Sequence, residues 1–232
     1  MKKILITRPK NEAQELVEIL ENSGFSTIIE PIFSVKIIEN HIKKSVKTVI
    51  LTSSNSIPTF LAQNFAKNIK IFTIGAKTAQ NLVKKGYKNI VFPKETSSLA
   101  LKNLILQDFL SKNGKILYFC GNFITLDFAT RLGLQGFDIE KILAYEIEYK
   151  KQFSAEFLAQ ILQTNIDFIL IFSKNNAKNF YNLAKKHNLL EYFNNSMILC
   201  LSNKIVDEIK NLGFKNFGNF DEIVSLKNFY KL

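Results

Sequence analysis

The chain repeats itself, and this constrains its fold more than any other property. Lys3-Ile4-Leu5-Ile6 returns as Lys115-Ile116-Leu117-Tyr118, with Gly24-Phe25 and Gly136-Phe137 at the same offset behind them. Val49-Ile50-Leu51-Thr52-Ser53-Ser54-Asn55 returns as Ile169-Leu170-Ile171-Phe172-Ser173-Lys174-Asn175. Ile71-Phe72-Thr73-Ile74, followed by Gly86-Tyr87-Lys88-Asn89, returns as Ile198-Leu199-Cys200-Leu201, followed by Gly213-Phe214-Lys215-Asn216. One echo is within reach of chance; three in the same order are the mark of two structural repeats.

Each repeated unit has the same grammar. A short Ile/Leu/Val/Phe run reads as a buried parallel strand, a small polar loop follows, and then a helix with apolar spacing. Ala13, Leu16, Val17 and Leu20 carry the i, i+3, i+4, i+7 pattern, as do Ala177, Phe180, Tyr181 and Ala184. Gly24, Gly86 and Gly213 stand just past helix ends, where a left-handed residue is wanted. Strand–helix alternation implies parallel sheets covered by helices.

Two segments depart from this grammar. Pro31–Ile37 and Ile142–Lys150 are longer and alternate, with Tyr145, Ile147 and Tyr149 on one face of the second and Glu146, Glu148 and Lys150 on the other. Both occupy the same place in the two repeats, which makes them paired connectors. The expected fold is therefore α/β: two similar parallel-sheet lobes joined by a two-stranded antiparallel linker, with a ligand cleft between them. Residues 1–33 with 149–232 would form a discontinuous lobe 1, residues 37–143 lobe 2, and residues 34–36 and 144–148 the linker strands.

Composition narrows the function. A hydrophobic content of 47% with 21 Phe excludes a disordered chain. No apolar run approaches the ~18–20 residues of a membrane helix, and residues 1–8 read as a first strand and not a signal peptide. Cys120 and Cys200 are too few for a disulfide framework, which points to the reducing cytoplasm. The net charge of +11 comes from scattered lysines and only two arginines, Arg8 and Arg131, without the dense basic block of a nucleic-acid arm. Two accounts of that charge stand: a compositional bias on solvated surface, or a field that attracts a small polyanion.

The common catalytic signatures are missing. There is no Gly-rich nucleotide cradle, no metal-ligand spacing, and no His placed to activate a Ser or Cys, so no cofactor is expected. His41 and His187 read as surface residues, and Cys120 as a small core residue. Hydroxyls and amides, by contrast, gather at strand-to-helix loops: Thr52, Ser53 and Asn55 in one, Ser173, Lys174 and Asn175 in another. These residue types cap helices, and the same helix starts bind anions through free N–H groups and the positive dipole end; both readings apply. Thr78 after Gly75, and Gly121-Asn122 after Cys120, lie in equivalent turns, where glycine permits close backbone approach to a ligand. Arg8 follows the first strand and could clamp a carboxylate or form an ordinary surface ion pair.

Taken in order, Leu5-Ile6-Thr7-Arg8-Pro9, Thr52-Ser53-x-Asn55, Ile74-Gly75-x-x-Thr78-Ala79, Cys120-Gly121-Asn122, the Tyr145 linker and Phe172-Ser173-x-x-x-Ala177 resemble the uroporphyrinogen-III synthase family across nearly the whole chain. The resemblance implies a linear tetrapyrrole substrate, hydroxymethylbilane, with its carboxylates held by Arg8, Thr52, Ser53, Asn55, Thr78, Gly121, Asn122, Ser173, Lys174 and Asn175. It implies a hydro-lyase that closes the ring with inversion of ring D and loss of water. Tyr145 matches the family's linker tyrosine; its phenol, with an unperturbed pKa of ~10, is either a proton donor to the departing hydroxyl or an apolar-face residue of the ribbon. One turn departs from the family: Ser202-Asn203-Lys204-Ile205 stands where the family usually has Gly-Pro-Thr, so no site is carried over there. A monomer in passing contact with the upstream deaminase is expected, without nucleic-acid or membrane partners. The alternative is a non-catalytic two-lobed binding protein for a polyanionic metabolite.

Overall fold

The computed structural model describes residues 1–42, 46–108 and 114–220. The end of the expected first lobe, residues 221–232, lies outside them. The chain divides into two units: Met1–Ser34 with the segment from Glu148 onward, and Val35–Ile147.

The first unit is built on a five-stranded parallel sheet. Its strands are β1 (Lys3–Ile6), β2 (Ser26–Ile29), β9 (Phe168–Ile171), β10 (Met197–Cys200) and β11 (Phe217–Asn219), in the order β11-β10-β9-β1-β2. The second is a six-stranded sheet of β3 (Phe33–Ile37), β4 (Thr48–Leu51), β5 (Lys70–Thr73), β6 (Ile90–Val91), β7 (Ile116–Gly121) and β8 (Ile139–Tyr149), in the order β3-β8-β7-β4-β5-β6. Setting β3 aside, the sheets share one pattern, with β9, β10, β11, β1 and β2 matching β4, β5, β6, β7 and β8. Each repeat therefore gives two strands to one sheet and three to the other.

The sequence explains the layers. In β4, Val49 and Leu51 face one side of the sheet and Ile50 the other; in β7, Leu117 and Phe119 alternate with Ile116, Tyr118 and Cys120. One face packs on Phe60 of α2 (Ile57–Leu61) and Leu82 of α3 (Ala76–Lys84). The other packs on Leu101 and Ile105 of α4 (Ser98–Asp108) and on Phe128 and Leu132 of α5 (Phe128–Gly133). In the first unit, Ile4, Ile6, Phe168, Leu170 and Leu199 pack with Ala13, Leu16 and Leu20 of α1 (Lys10–Asn22). Phe153, Phe157 of α6 (Ala155–Ile161), Phe180 of α7 (Lys174–Lys186) and Phe193 of α8 (Leu190–Phe193) form an aromatic cluster. Each fully buried aliphatic or aromatic side chain contributes about 1.5–3 kcal/mol.

Four helices end in the same way. Gly24, Gly86, Gly136 and Gly213 all have φ between 82° and 88°, and the aromatic residue after each donates its N–H back to Leu20, Leu82, Leu132 and Ile209 respectively. This is the Schellman closure, in which glycine supplies the left-handed residue and the next side chain turns back onto the helix. The last of these ends α9 (Asn203–Asn211).

The connectors differ from a free ribbon. Residues 139–145 of β8 pair in parallel with β7, and β3 lies on the other side of β8 at the sheet edge. The Ile38 N–H bonds the Ala144 carbonyl at 3.0 Å and the Lys150 N–H bonds the Ile32 carbonyl at 2.9 Å, so β3 and β8 run antiparallel. The expected alternation also breaks: Ala144 and Tyr145 are both buried. The cause is a bulge, since Cys120 pairs with Leu143 but Gly121 pairs with Tyr145, leaving Ala144 as the extra residue.

Candidate functional site

In an open parallel sheet, ligands bind beyond the carboxyl ends of strands where the strand order reverses. That point lies between β7 and β4 in the second unit and between β1 and β9 in the first. The loops after these four strands hold Gly121-Asn122, Thr52–Asn55, Arg8 and Ser173–Asn175, so nearly all of the residues expected from sequence stand at the two switch points.

In the second unit, Thr52, Ser53 and Asn55 are half-buried just after β4. The Ser53 hydroxyl caps the 3-10 turn Ser54–Ser56 by accepting from the Asn55 N–H at 3.2 Å. The Thr52 hydroxyl is hydrogen-bonded to the Tyr118 phenol; burial pushes that phenol well above its ordinary range, and the bond works in the opposite direction. Thr78, almost fully buried in the first turn of α3, places its Oγ1 3.2 Å from the Ser54 Oγ, tying the β4 and β5 loops together.

Gly121 and Asn122 do something other than face open space. A Cβ on Gly121 would stand 2.5 Å from Tyr145 Cζ, 2.6 Å from Cε2 and 2.9 Å from the phenol oxygen. The close approach that this glycine permits is that of the Tyr145 ring. The Asn122 side chain is also engaged: its Oδ1 accepts from the Ile147 N–H at 2.9 Å and its Nδ2 donates to the Ile147 carbonyl at 3.2 Å. It thus continues the β7 ladder by one rung after β7 has ended. From the other side, the Thr59 hydroxyl of α2 donates to the Ala144 carbonyl at 2.7 Å, a second bond beside that from the Ile38 N–H. Three residues, Gly121, Asn122 and Thr59, therefore hold the stretch of β8 that carries Tyr145.

Cys120 is fully buried, and burial raises its thiol to about 11. Cys200, likewise buried, is pushed to about 12. Neither is an activated nucleophile.

In the first unit, Ser173 caps α7, its Oγ accepting from the Asn176 N–H at 3.1 Å. This answers one of the orphan donors that a helix start leaves. Lys174 and Asn175 are exposed, and the Lys174 ammonium stands 3.8 Å from Glu208. Tyr149, at the far end of β8, donates to the Asn176 Oδ1 at 3.2 Å and is also hydrogen-bonded to Ser173; burial raises its phenol above the ordinary value, against the Ser173 bond. The β8 strand thus delivers a tyrosine to each unit's switch-point loop, Tyr145 to Gly121 and Tyr149 to Ser173. The Arg8 guanidinium lies over the Phe172 ring, its Cζ 3.8 Å from the centroid. Lys204, in the divergent turn, is exposed, and Ser202 makes no side-chain cap to α9.

His187, expected at the surface, is partly buried and packs on Phe153, whose N–H it accepts at 3.4 Å. A cavity of about 300 Å³ beyond β2 is lined by Lys10, Glu30, Lys150, Ser154 and Glu156 among others. Its buried Glu30 carboxylate is taken by the Ser154 N–H and hydroxyl at 2.8 and 2.6 Å, so it anchors the start of α6.

The family model of uroporphyrinogen-III synthase HemD matches residues 14–218. The chain belongs to the uroporphyrinogen-III synthase family. A curated relative, the uroporphyrinogen-III synthase of Chlorobaculum parvum, is 30% identical over 113 residues, 44% of this chain and 46% of the relative. The chain thus matches about half the length of that relative. Among solved structures, the uroporphyrinogen-III synthetase of Helicobacter pylori covers 94% of this chain and 92% of its own at TM-score 0.58 and 15% identity. A mutant uroporphyrinogen III synthase of Thermus thermophilus covers 100% and 98% at TM-score 0.57 and 14% identity. At such identities these likenesses establish the fold.

Within this family frame, sequence reasoning passed over five residues that the structure brings to the switch points: Thr59, Tyr118, Tyr149, Phe172 and Asn176. A signal existed for Tyr149, which shares the alternating face of Tyr145, and for Phe172 and Asn176, which flank the Ser173 loop. Thr59 and Tyr118 sat inside apolar runs and gave none. Among the described residues, no helix is long and apolar enough to cross a membrane.

Proposed function

We propose that the chain is a uroporphyrinogen-III synthase: a hydro-lyase that closes hydroxymethylbilane with inversion of ring D. The observation that carries this reading is the family match over residues 14–218 together with switch-point loops furnished with hydroxyls, amides and Arg8. A linear tetrapyrrole carries carboxylates on every ring, which suits loops furnished with hydroxyls, amides and a guanidinium. Arg8, Thr52, Ser53, Asn55, Thr78, Ser173, Lys174 and Asn175 are the proposed binding residues. Gly121 and Asn122 contribute by holding Tyr145.

In the proposed reaction the ring A hydroxyl leaves as water, and the Tyr145 phenol donates the hydrogen bond that assists it. Ring D attacks the resulting azafulvene through its substituted α-carbon; the spiro intermediate fragments and recloses inverted. The protein's part is chiefly orientation, since the same substrate closes unaided to the uninverted isomer. The positive net charge of +11 supports attraction of a polycarboxylate. We place the enzyme in the cytoplasm as a monomer that receives its labile substrate from the upstream deaminase, a location supported by two buried free thiols.

The test generates hydroxymethylbilane in situ with a deaminase, adds this protein, oxidises the products and separates the porphyrin isomers. A dominant type III isomer is expected. Type I alone from folded protein would overturn the catalytic reading in favour of a polyanion-binding protein.

A further inference from the structure

Of the 31 cationic side chains only two are arginines, and they have opposite settings. Arg131 is exposed near the end of α5, whereas Arg8 is partly buried in the loop after β1. At this position the chain uses a flat, forked cation in place of its customary lysine, and the two are not equivalent wherever stacking or bidentate geometry matters.

The surroundings of Arg8 make use of that geometry. Its guanidinium Cζ stands 3.8 Å from the centroid of Phe172, the residue that follows β9. Its Nε is buried and has no hydrogen-bond partner among the described residues. Most arginines of soluble proteins place their donors in water or on a carboxylate; a buried guanidinium N–H without an acceptor is a cost, and such groups mark a missing partner. The ring contact seats the guanidinium in this loop, so it does not sweep freely through solvent. The stack joins the β1 and β9 loops, the two sides of this unit's switch point. Thr7, beside Arg8, holds the same two strand ends together by donating its hydroxyl to the Leu170 carbonyl at 2.7 Å.

We infer that Phe172 is a positioning residue for substrate: it holds the Arg8 guanidinium at the switch point as a preoriented donor for a carboxylate of the tetrapyrrole. The inference rests on the synthase reading. It assigns to an apolar residue of the β9 loop a part in binding that its chemistry alone would not suggest. Preorientation lowers the ordering cost of a bidentate contact, so its loss acts on affinity more than on turnover.

Only two arginine Nε–H signals exist in the protein, so Arg8 can be followed by nitrogen–proton NMR with Arg8→Lys to identify its peak. The aromatic ring is expected to shift that peak, and titration with octacarboxylated uroporphyrin III is expected to move it while leaving the Arg131 peak in place. In the isomer assay, Phe172→Leu is expected to raise KM about tenfold with a smaller effect on kcat, and Phe172→Tyr, which keeps the stack, to restore most of the affinity. Phe172→Leu combined with Arg8→Gln is expected to cost no more than Arg8→Gln alone. If wild-type protein forms the type III isomer but the Arg8 peak stays fixed at saturating uroporphyrin, the clamp is refuted and the synthase reading survives. Should Phe172→Leu, folded by thermal unfolding, keep the wild-type KM, the positioning role is likewise refuted. Type I product alone from wild type would bring down the synthase reading and the carboxylate role with it.

Discussion

Replacing Gly121 by alanine tests whether this glycine exists to admit the Tyr145 ring. Its backbone is not in the left-handed region, so alanine carries no conformational penalty and by itself would stabilise by about 0.4–1 kcal/mol through the unfolded chain. Against this stands a Cβ 2.5 and 2.6 Å from two ring carbons and 2.9 Å from the phenol oxygen. Ordinary carbon contact lies near ~3.5–4.0 Å, so the ring must retreat by roughly 1 Å. Overpacking of this kind costs about 1–3 kcal/mol, leaving a net loss of up to about 2.5 kcal/mol. A displacement of roughly 1 Å at a reacting group lowers turnover by about 10²-fold. Urea unfolding and the type III isomer assay read the two effects separately. In a Tyr145→Leu background, where the shorter side chain clears the new methyl, the stability loss should vanish or reverse. An equal loss in both backgrounds, or wild-type turnover in Gly121→Ala, would refute the account of this glycine as a seat for the phenol.

Tyr145→Phe is expected to lower type III formation at least tenfold with unfolding midpoint unchanged; undiminished turnover would leave the phenol a packing group. Asn122→Ala, which removes both bonds to Ile147, is expected to cost about 1–2 kcal/mol and to reduce kcat more than KM, as steady-state kinetics and urea unfolding would report. Cys120 and Cys200 should react with a thiol reagent at pH 8 only when the protein unfolds, which a denaturant series checks. Because burial raises both thiols, to about 11 and about 12, the unfolded chain releases their protons first. Stability contributed by these groups is complete below about pH 9 and is lost as pH rises through the folded values, so alkaline unfolding scans should show a steady decline above pH 9.

The elements were legible because their signals are local. Buried parallel strands announce themselves as apolar runs such as Val49–Leu51 and Phe168–Ile171, and Gly24, Gly86 and Gly213 mark helix ends because glycine takes the left-handed closure without strain. The loop residues were legible as a set for the same reason: hydroxyls and amides after a buried run have few other uses. What escaped depends on partners distant in sequence. Nothing in Ala144-Tyr145 encodes a bulge; it arises where Gly121 of another strand lets the ring in and Thr59 of a helix serves the extra carbonyl. Asn122 looked like a ligand donor because a side-chain amide that imitates a ladder rung cannot be told from one that awaits a ligand until its neighbour is seen.

The sharing of strands between repeats sets a timetable for synthesis. Val35–Ile147 contains every strand of the larger sheet except the first residues of β3 and the last of β8, so that unit can complete itself while the rest of the chain is still being made. The other unit has to wait. Its interior strand β1 leaves the ribosome long before its partner β9: Thr7 and the Leu170 carbonyl it bonds are 163 residues apart. Until β9 arrives, β1 and β2 hold only one another, and β1 keeps an open hydrophobic edge of the kind that pairs with other chains. A strand made early is among the last to be fully paired, which makes the nascent β1–β2 segment the part of these two units most in need of shelter as it emerges.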